Sequence, residues 1–299
     1  MNPYLEALRL ERWPRSTAIF LGSATCLFFE IKENAFVPPH WPILGKIILA
    51  FLLTWGISTV NYIINEIADA PFDRHHPLKK MRPLVSGRIE KTTFILLGLF
   101  LALFCFTFSF LFFSWLFTVS LLSLLLAGFV YNVTPLRTKD IPFLDSISES
   151  ANNPIRFLIG WYALNPGSFP PIGLLLAWWA FGNFLMVAKR LSELRWLKDK
   201  AALYRQSLQK YSTFSLLTGM AVSMIVFFAG YLWFCWQYNL RSWFFYTIPL
   251  LLYFLLFFWK TLKEKAVMEE PERLFRRPLF AFYTVGLIIL FLISLLRLK

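Results

Sequence analysis

"TTFILLGLFLALFCFTFSFLFFSWLFTVSLLSLLLAGFVYNVTPL", residues 92–136, runs for 45 positions without a charged side chain. A helix of about 20 apolar residues crosses a bilayer, so this run holds two crossings. The whole chain shares the bias: of 299 residues, 58% are hydrophobic, 19% aromatic and only 16% charged. Soluble domains carry about 25% charged residues. The chain therefore reads as an all-α polytopic membrane protein, because helices satisfy their own backbone hydrogen bonds in lipid.

Working outward, apolar windows between charged breaks predict nine spans, near 15–31, 43–66, 92–112, 115–134, 142–163, 171–192, 214–235, 243–262 and 278–297. Nine spans put the termini on opposite sides. If the N-terminus is cytoplasmic, 24 of the 30 Lys and Arg residues fall on that side and five on the other, with Arg156 inside span five. The positive-inside rule then gives an N-in, C-out topology.

The net charge of +13 serves this topology and attraction to anionic headgroups. The bases abut spans instead of forming a soluble domain, which argues against a nucleic-acid partner. No linker, repeat or low-complexity stretch divides the chain, so residues 1–299 read as one transmembrane domain. Cys26, Cys105 and Cys235 lie in or beside apolar runs without metal-ligand spacing, and read as packing residues. The basic N-terminus precedes an apolar run with no small-residue cleavage pattern, so that run is kept as a span.

Span two ends in a knot of charge. "NEIADAPFDRHHPLKKMRPLVSG", residues 65–87, holds three acids, four bases and two histidines. Asn65, Asp69 and Asp73 stand at i, i+4 and i+8, which drifts slowly round one helix face. Pro71 is expected to kink or end the helix before Asp73. An acid at membrane depth is costly and marks a functional site by default. Carboxylates with an amide oxygen suit Mg²⁺, which takes one or two carboxylates, waters and substrate phosphates. Arg74, His76, Lys79, Lys80 and Arg82 follow at once and suit a metal-bound phosphate or diphosphate. The plainer alternative is a cytoplasmic loop balanced by its own ion pairs.

This segment resembles the first aspartate-rich motif of the UbiA superfamily of intramembrane prenyltransferases. Asn65, Asp69 and Asp73 fall in its Asn-x₃-Asp-x₃-Asp positions, and Glu66 replaces the usual Asp. The resemblance implies a nine-helix bundle with a polar cavity facing the cytoplasm. It also implies the bacterial inner (plasma) membrane as location, with the active site cytoplasmic. The family's aromatic prenyltransferases carry a second motif, Asp-x₃-Asp, at the end of span six. Here "FLMVAKRLSELRWLKDKAALYRQSLQKYS" (184–212) puts Lys189, Arg190 and Glu193 there.

That stretch, "DRHHPLKKMRP" (73–83) and "RLERWPRS" (9–16) are similar instead to the decaprenyl-phosphate phosphoribosyltransferase branch of the family. A phosphoribosyl diphosphate donor and a polyprenyl phosphate lipid acceptor together bring more negative charge than a prenyl diphosphate, which suits added bases. The resemblance implies that the lipid phosphate attacks the ribose C1 and expels diphosphate, with Mg²⁺ on Asn65, Asp69 and Asp73. Lys79, Arg82, Lys189 and Arg190 would clamp phosphates, with Arg205 in the same basic stretch. Arg156 would reach in from span five, Arg9 and Arg15 would meet the lipid phosphate, and Glu193 would orient a ribose hydroxyl or a basic neighbour. Tyr131 and Lys139 stand at the connection between spans four and five, with an interfacial structural role also open to Tyr131. Alternatives are prenyl transfer to an aromatic acceptor and, further off, a transporter. A homo-oligomer is compatible with the sequence.

Overall fold

Long uncharged runs have no conformation in lipid other than the helix, and a polar residue or proline ends each one. The computed structural model describes residues 2–32, 40–74, 79–198 and 206–263, with helical residues at 278, 280–283, 285–286 and 289. In chain order the helices are α1 (Pro3–Leu8), α2 (Ile19–Lys32), α3 (His40–Asp73), α4 (Lys91–Phe112) and α5 (Trp115–Asn132). They continue with α6 (Leu144–Ser150), α7 (Asn152–Tyr162), α8 (Ile172–Leu197), α9 (Thr213–Gln237) and α10 (Thr247–Lys263). The described residues contain no strand.

Among the described residues, six segments are long and apolar enough to cross a membrane: Trp41–Asp73, Lys91–Phe112, Trp115–Asn132, Ile172–Leu197, Thr213–Gln237 and Arg241–Lys263. They match predicted spans two, three, four, six, seven and eight. The uncharged 92–136 run breaks at Phe113 and Ser114, where the Ser114 hydroxyl accepts from the Phe117 N–H and caps α5.

The remaining three expectations fare differently. Predicted span one becomes a 3₁₀ turn, Leu10–Ala18, followed by the 14 residues of α2. Predicted span five is two short helices, α6 and α7, instead of one. Pro154 stands at the third position of α7 and has no N–H for the Ser150 carbonyl, in the polar run "SISESANNP" (146–154). Predicted span nine lies largely outside the described residues.

The helices gather in two compact units, 1–139 with 151–170 and 140–150 with 171–299. In the first, α2 and α7 touch backbone to backbone through Gly22 and Gly160. A Cβ on Gly160 would sit 1.9 Å from the Ile19 carbonyl oxygen, and one on Gly22 would sit 2.0 Å from that of Phe157. The Ser23 hydroxyl donates to the Gly160 carbonyl at 2.9 Å across the same crossing. Without a hydrophobic drive between helices in lipid, such close contact is what holds them together. In the second unit, α8 and α9 cross at Gly173 and Gly230 in the same way. Cys26, Cys105 and Cys235 are unpaired and buried, as their apolar neighbours imply.

The helix that matters most is α3. At 34 residues it is about 50 Å long, against a hydrocarbon core of about 30 Å. Pro71 does not end it, contrary to the sequence expectation. Pro71 forgoes one bond, to the Ile67 carbonyl, and only two helical residues follow it, so the helix runs on to Asp73.

Gly160→Ala should lower the thermal midpoint in detergent, by an overpacking cost of about 1–3 kcal/mol. Gly45→Ala has nothing within 4 Å of its new Cβ and should leave the midpoint unchanged or higher. Equal midpoints for the two variants would show that the α2–α7 crossing is not a tight contact.

Candidate functional site

Because α3 continues through Pro71, four polar side chains follow one another up a single face: Asn61, Asn65, Asp69 and Asp73. Each step of four residues drifts about 40°. Asn61 was not singled out from sequence, although it extends the same spacing one turn earlier. Its amide donates to the Leu124 carbonyl of α5 at 2.8 Å. Gly128 makes the room, since a Cβ there would lie 2.0 Å from the Asn61 amide oxygen. This notch seats the polar face of α3 against α5.

One turn on, the connection after α5 folds back over the acids. The Lys139 ammonium, 6% exposed, donates to three oxygens: Asn65 Oδ1 at 3.2 Å, Asp69 Oδ1 at 2.5 Å and Asn132 Oδ1 at 3.0 Å. Asn132 is held for this by its own amide donating to the Gly128 carbonyl at 2.9 Å. Arg137 adds a second cation to Asp69 Oδ1, at 2.9 Å from Nη2. Its Nη1 bonds the carbonyls of Asn132 (2.9 Å) and Ala68 (3.4 Å), and its guanidinium lies 4.3 Å from the Phe72 ring centroid. The Arg137 backbone has φ 30°, in the left-handed region that non-glycine residues rarely occupy. Such outliers persist only where surrounding contacts over-determine them, as they do here.

Asp73 is 4% exposed and pairs with Arg82, whose Nη1 also stands 4.0 Å from Asp69 Oδ2. The two carboxylates therefore address a single cationic group. Glu66, at 1% exposure, turns to the N-terminal segment, where Arg9 Nη2 lies 3.4 Å from its Oε2. Arg9 is also left-handed, with φ 51°. Burial first, and then the neighbouring Arg82, pull its guanidinium below the usual range. A bidentate pair between Arg88 and Glu6, at 2.9 and 3.0 Å, ties α1 to the loop before α4.

The oxygens of Asn65, Asp69 and Asp73 fit a hard divalent cation: cationic nitrogens already stand between them. They are too few to complete its coordination. Among the described residues no group of three or more His, Cys, Asp or Glu side chains could hold a metal, so a cation here would need further oxygens from a ligand or from water.

In the second unit Arg190 is 0% exposed and lies among three carboxylates: Asp145 (2.7 Å), Glu193 (2.9 Å) and Glu149 (3.3 Å). Asp145 also accepts from the Ser207 hydroxyl at 3.0 Å and from Tyr211 at 2.5 Å. Burial, followed by the Asp145 charge, pushes the Tyr211 phenol well above its usual range, so it remains a donor. Arg190, expected from sequence to clamp a phosphate, is met in this structure by these three carboxylates. Asp145 is not among the site residues that the sequence points to. Lys189 is half-buried beside the cluster on α8.

Of the other predicted residues, Arg74 and Lys80 are exposed, and Arg15, Tyr131 and Arg156 are half-buried on their own elements. Lys79 opens a 3₁₀ turn, Lys79–Met81, and its side chain lies outside the described residues, as do His76 and Arg205.

The decaprenyl-phosphate phosphoribosyltransferase of Mycobacterium tuberculosis is 24% identical over 218 residues, covering 70% of this chain and 66% of that protein. The same-named protein of Mycolicibacterium smegmatis is 29% identical over 215 residues, covering 70% of this chain and 62% of that one. The match thus spans slightly less than two thirds of these relatives' own length. A solved UbiA homolog from Archaeoglobus fulgidus, bound to Cd²⁺, superposes with a TM-score of 0.64 at 18% identity, over 94% of this chain and 97% of that one. Bound to DMAPP and Mg²⁺, that homolog gives 0.57 at 22% identity, over 75% of each chain. The polar α3 face and the apolar helices around it lie within residues 25–285, which the UbiA prenyltransferase family profile matches. The chain belongs to that family.

Proposed function

We propose that the protein transfers 5-phosphoribosyl from phosphoribosyl diphosphate to a polyprenyl phosphate, releasing diphosphate. The observation that carries this reading is the α3 face, where Asn65, Asp69 and Asp73 meet Arg82, Arg137 and Lys139. Metal-binding oxygens and anion-binding cations on one face suit a diphosphate. The choice of donor is supported by the two mycobacterial relatives, whose names specify phosphoribosyl transfer. The asymmetry of the basic residues supports an inner-membrane protein whose N-terminus and site face the cytoplasm.

Asn65, Asp69 and Asp73 would hold Mg²⁺, whose chemistry is to neutralise the departing diphosphate. An oxygen of the lipid phosphate forms the new bond to ribose C1, and the bond from C1 to diphosphate breaks with its electron pair leaving on diphosphate. The nucleophile is ionised at neutral pH and needs no base. The chain's own residues therefore position and neutralise. Arg82, Arg137 and Lys139 bind the leaving group's oxygens, Arg9 and Arg15 meet the lipid phosphate, and Lys189 contacts a phosphate. Arg190 and Glu193 serve as scaffold within their own buried cluster.

Prenyl transfer to an aromatic acceptor is the second reading. The acids Asp145, Glu149 and Glu193 gathered at Arg190 favour it, being carboxylates close to where the family's second motif stands. Labelled phosphoribosyl diphosphate with a polyprenyl phosphate, set against a prenyl diphosphate with 4-hydroxybenzoate, separates the two. Turnover of only the second pair would overturn the proposal.

Asp69→Asn should abolish turnover at saturating Mg²⁺ while keeping the size-exclusion profile; wild-type turnover would remove Asp69 from the metal site. A polyprenol lacking its phosphate should give no product, whereas changes in chain length should be tolerated, each methylene contributing about 0.8 kcal/mol. Efficient use of the free alcohol would sink the proposed nucleophile.

The two neighbours on α8 should part company. Arg190→Ala leaves Asp145 buried without its cation, at a cost of about 3–5 kcal/mol, visible as a lower thermal midpoint or loss of monodisperse protein. Lys189→Ala should keep the midpoint and raise a Michaelis constant roughly 10- to 150-fold. The reverse pattern would make Arg190 the phosphate contact.

A further inference from the structure

The charges around α3 determine which form of the cation can reach it. Asp69 and Asp73 bring two negative charges to this face. Arg82, Arg137 and Lys139 bring three positive ones, each within 4.0 Å of one of those carboxylates. Glu66 and Arg9 balance each other alongside, and Arg74 adds a further positive charge at the helix end. A bare divalent ion therefore approaches a face with an excess of positive charge, in partly buried surroundings where salt screens little.

Nor can the cations simply move aside. Arg137 is fixed by two backbone carbonyls and the Phe72 ring, and Lys139 by Asn132. The protein's oxygens are also engaged, since Lys139 holds both Asn65 and Asp69.

A metal diphosphate meets the opposite situation. It keeps a net negative charge, so the same three cations attract it, and its own oxygens fill the metal's remaining positions. On its arrival each cation exchanges a carboxylate oxygen for a phosphate oxygen, so no ion pair is lost. We propose that this face admits its divalent cation as the diphosphate chelate and discriminates against the free ion, with Arg137 and Lys139 enforcing the choice. The inference rests on the reading of Asn65, Asp69 and Asp73 as metal ligands.

Equilibrium dialysis of the full chain in detergent tests it, with Mn²⁺ alone, inorganic diphosphate alone, and both, reading metal and phosphorus on each side of the membrane. Wild-type protein should retain the two together in equal amounts, at a half-saturation at least ~10-fold below that for Mn²⁺ alone. Arg137→Gln combined with Lys139→Gln should retain Mn²⁺ alone at least ~10-fold more tightly than wild type, and the chelate more weakly. Wild-type retention of Mn²⁺ alone as tight as with diphosphate would overturn the proposal, whether or not the double variant folds. So would a folded double variant with unchanged Mn²⁺ retention. Asp69→Asn is the separate control. If it retains the chelate like wild type, the assignment of Asp69 as a ligand has failed, and the wild-type arms still judge the selectivity.

Discussion

A carboxylate on a membrane-length helix must be met by a cation, because an unpaired buried charge costs several kcal/mol. Glu66, Asp69 and Asp73 impose that requirement on the first unit, and three connections answer it. The segment after α5 returns with Arg137 and Lys139, the loop before α4 with Arg82, and the N-terminal segment brings Arg9 to the adjacent Glu66. Residues more than 60 positions apart in the chain meet on one face for this reason. The strained backbones of Arg9 and Arg137 fit the same account: each is bent into the left-handed region and each delivers a guanidinium to an α3 acid.

The second unit inverts the arrangement, with one buried cation and several acids. Arg190 joins α6 to α8, and Asp145 draws in the segment that carries Ser207 and Tyr211. Such a network is weak evidence of net stability, because desolvating the charges costs about as much as pairing them returns. Its effect is to fix geometry, since no member can be removed without stranding another.

The transmembrane helices were legible because lipid imposes one rule on every uncharged run. The α3 acids were legible because a spacing of four residues survives any change in packing. What escaped was set by tertiary contact. Arg137 looked like one more cytoplasmic base, and nothing local marks a residue whose backbone will turn left-handed. The carboxylates of Asp145 and Glu149 that meet Arg190 lie more than 40 residues away in sequence, so nothing local announces them. Pro71 was weighed as a helix breaker without allowance for its place in the last turn. The break at Ala151 could have been read from Pro154 and its polar neighbours, but the apolar stretch that follows, "FLIGWYAL" (157–164), outweighed them.

The three cysteines, placed by packing alone, have a practical consequence. Cys26, Cys105 and Cys235 are all fully enclosed by protein, so water-soluble maleimides have no native thiol to reach in the folded chain. The wild-type sequence is thus already a near-silent background for site-directed labelling. A single cysteine introduced at the exposed Arg74 or Lys80, or at the far end of α4 on exposed Leu111, can report which face of an intact membrane each position meets. Sidedness becomes measurable without first rebuilding the packing that the native sulfur atoms complete.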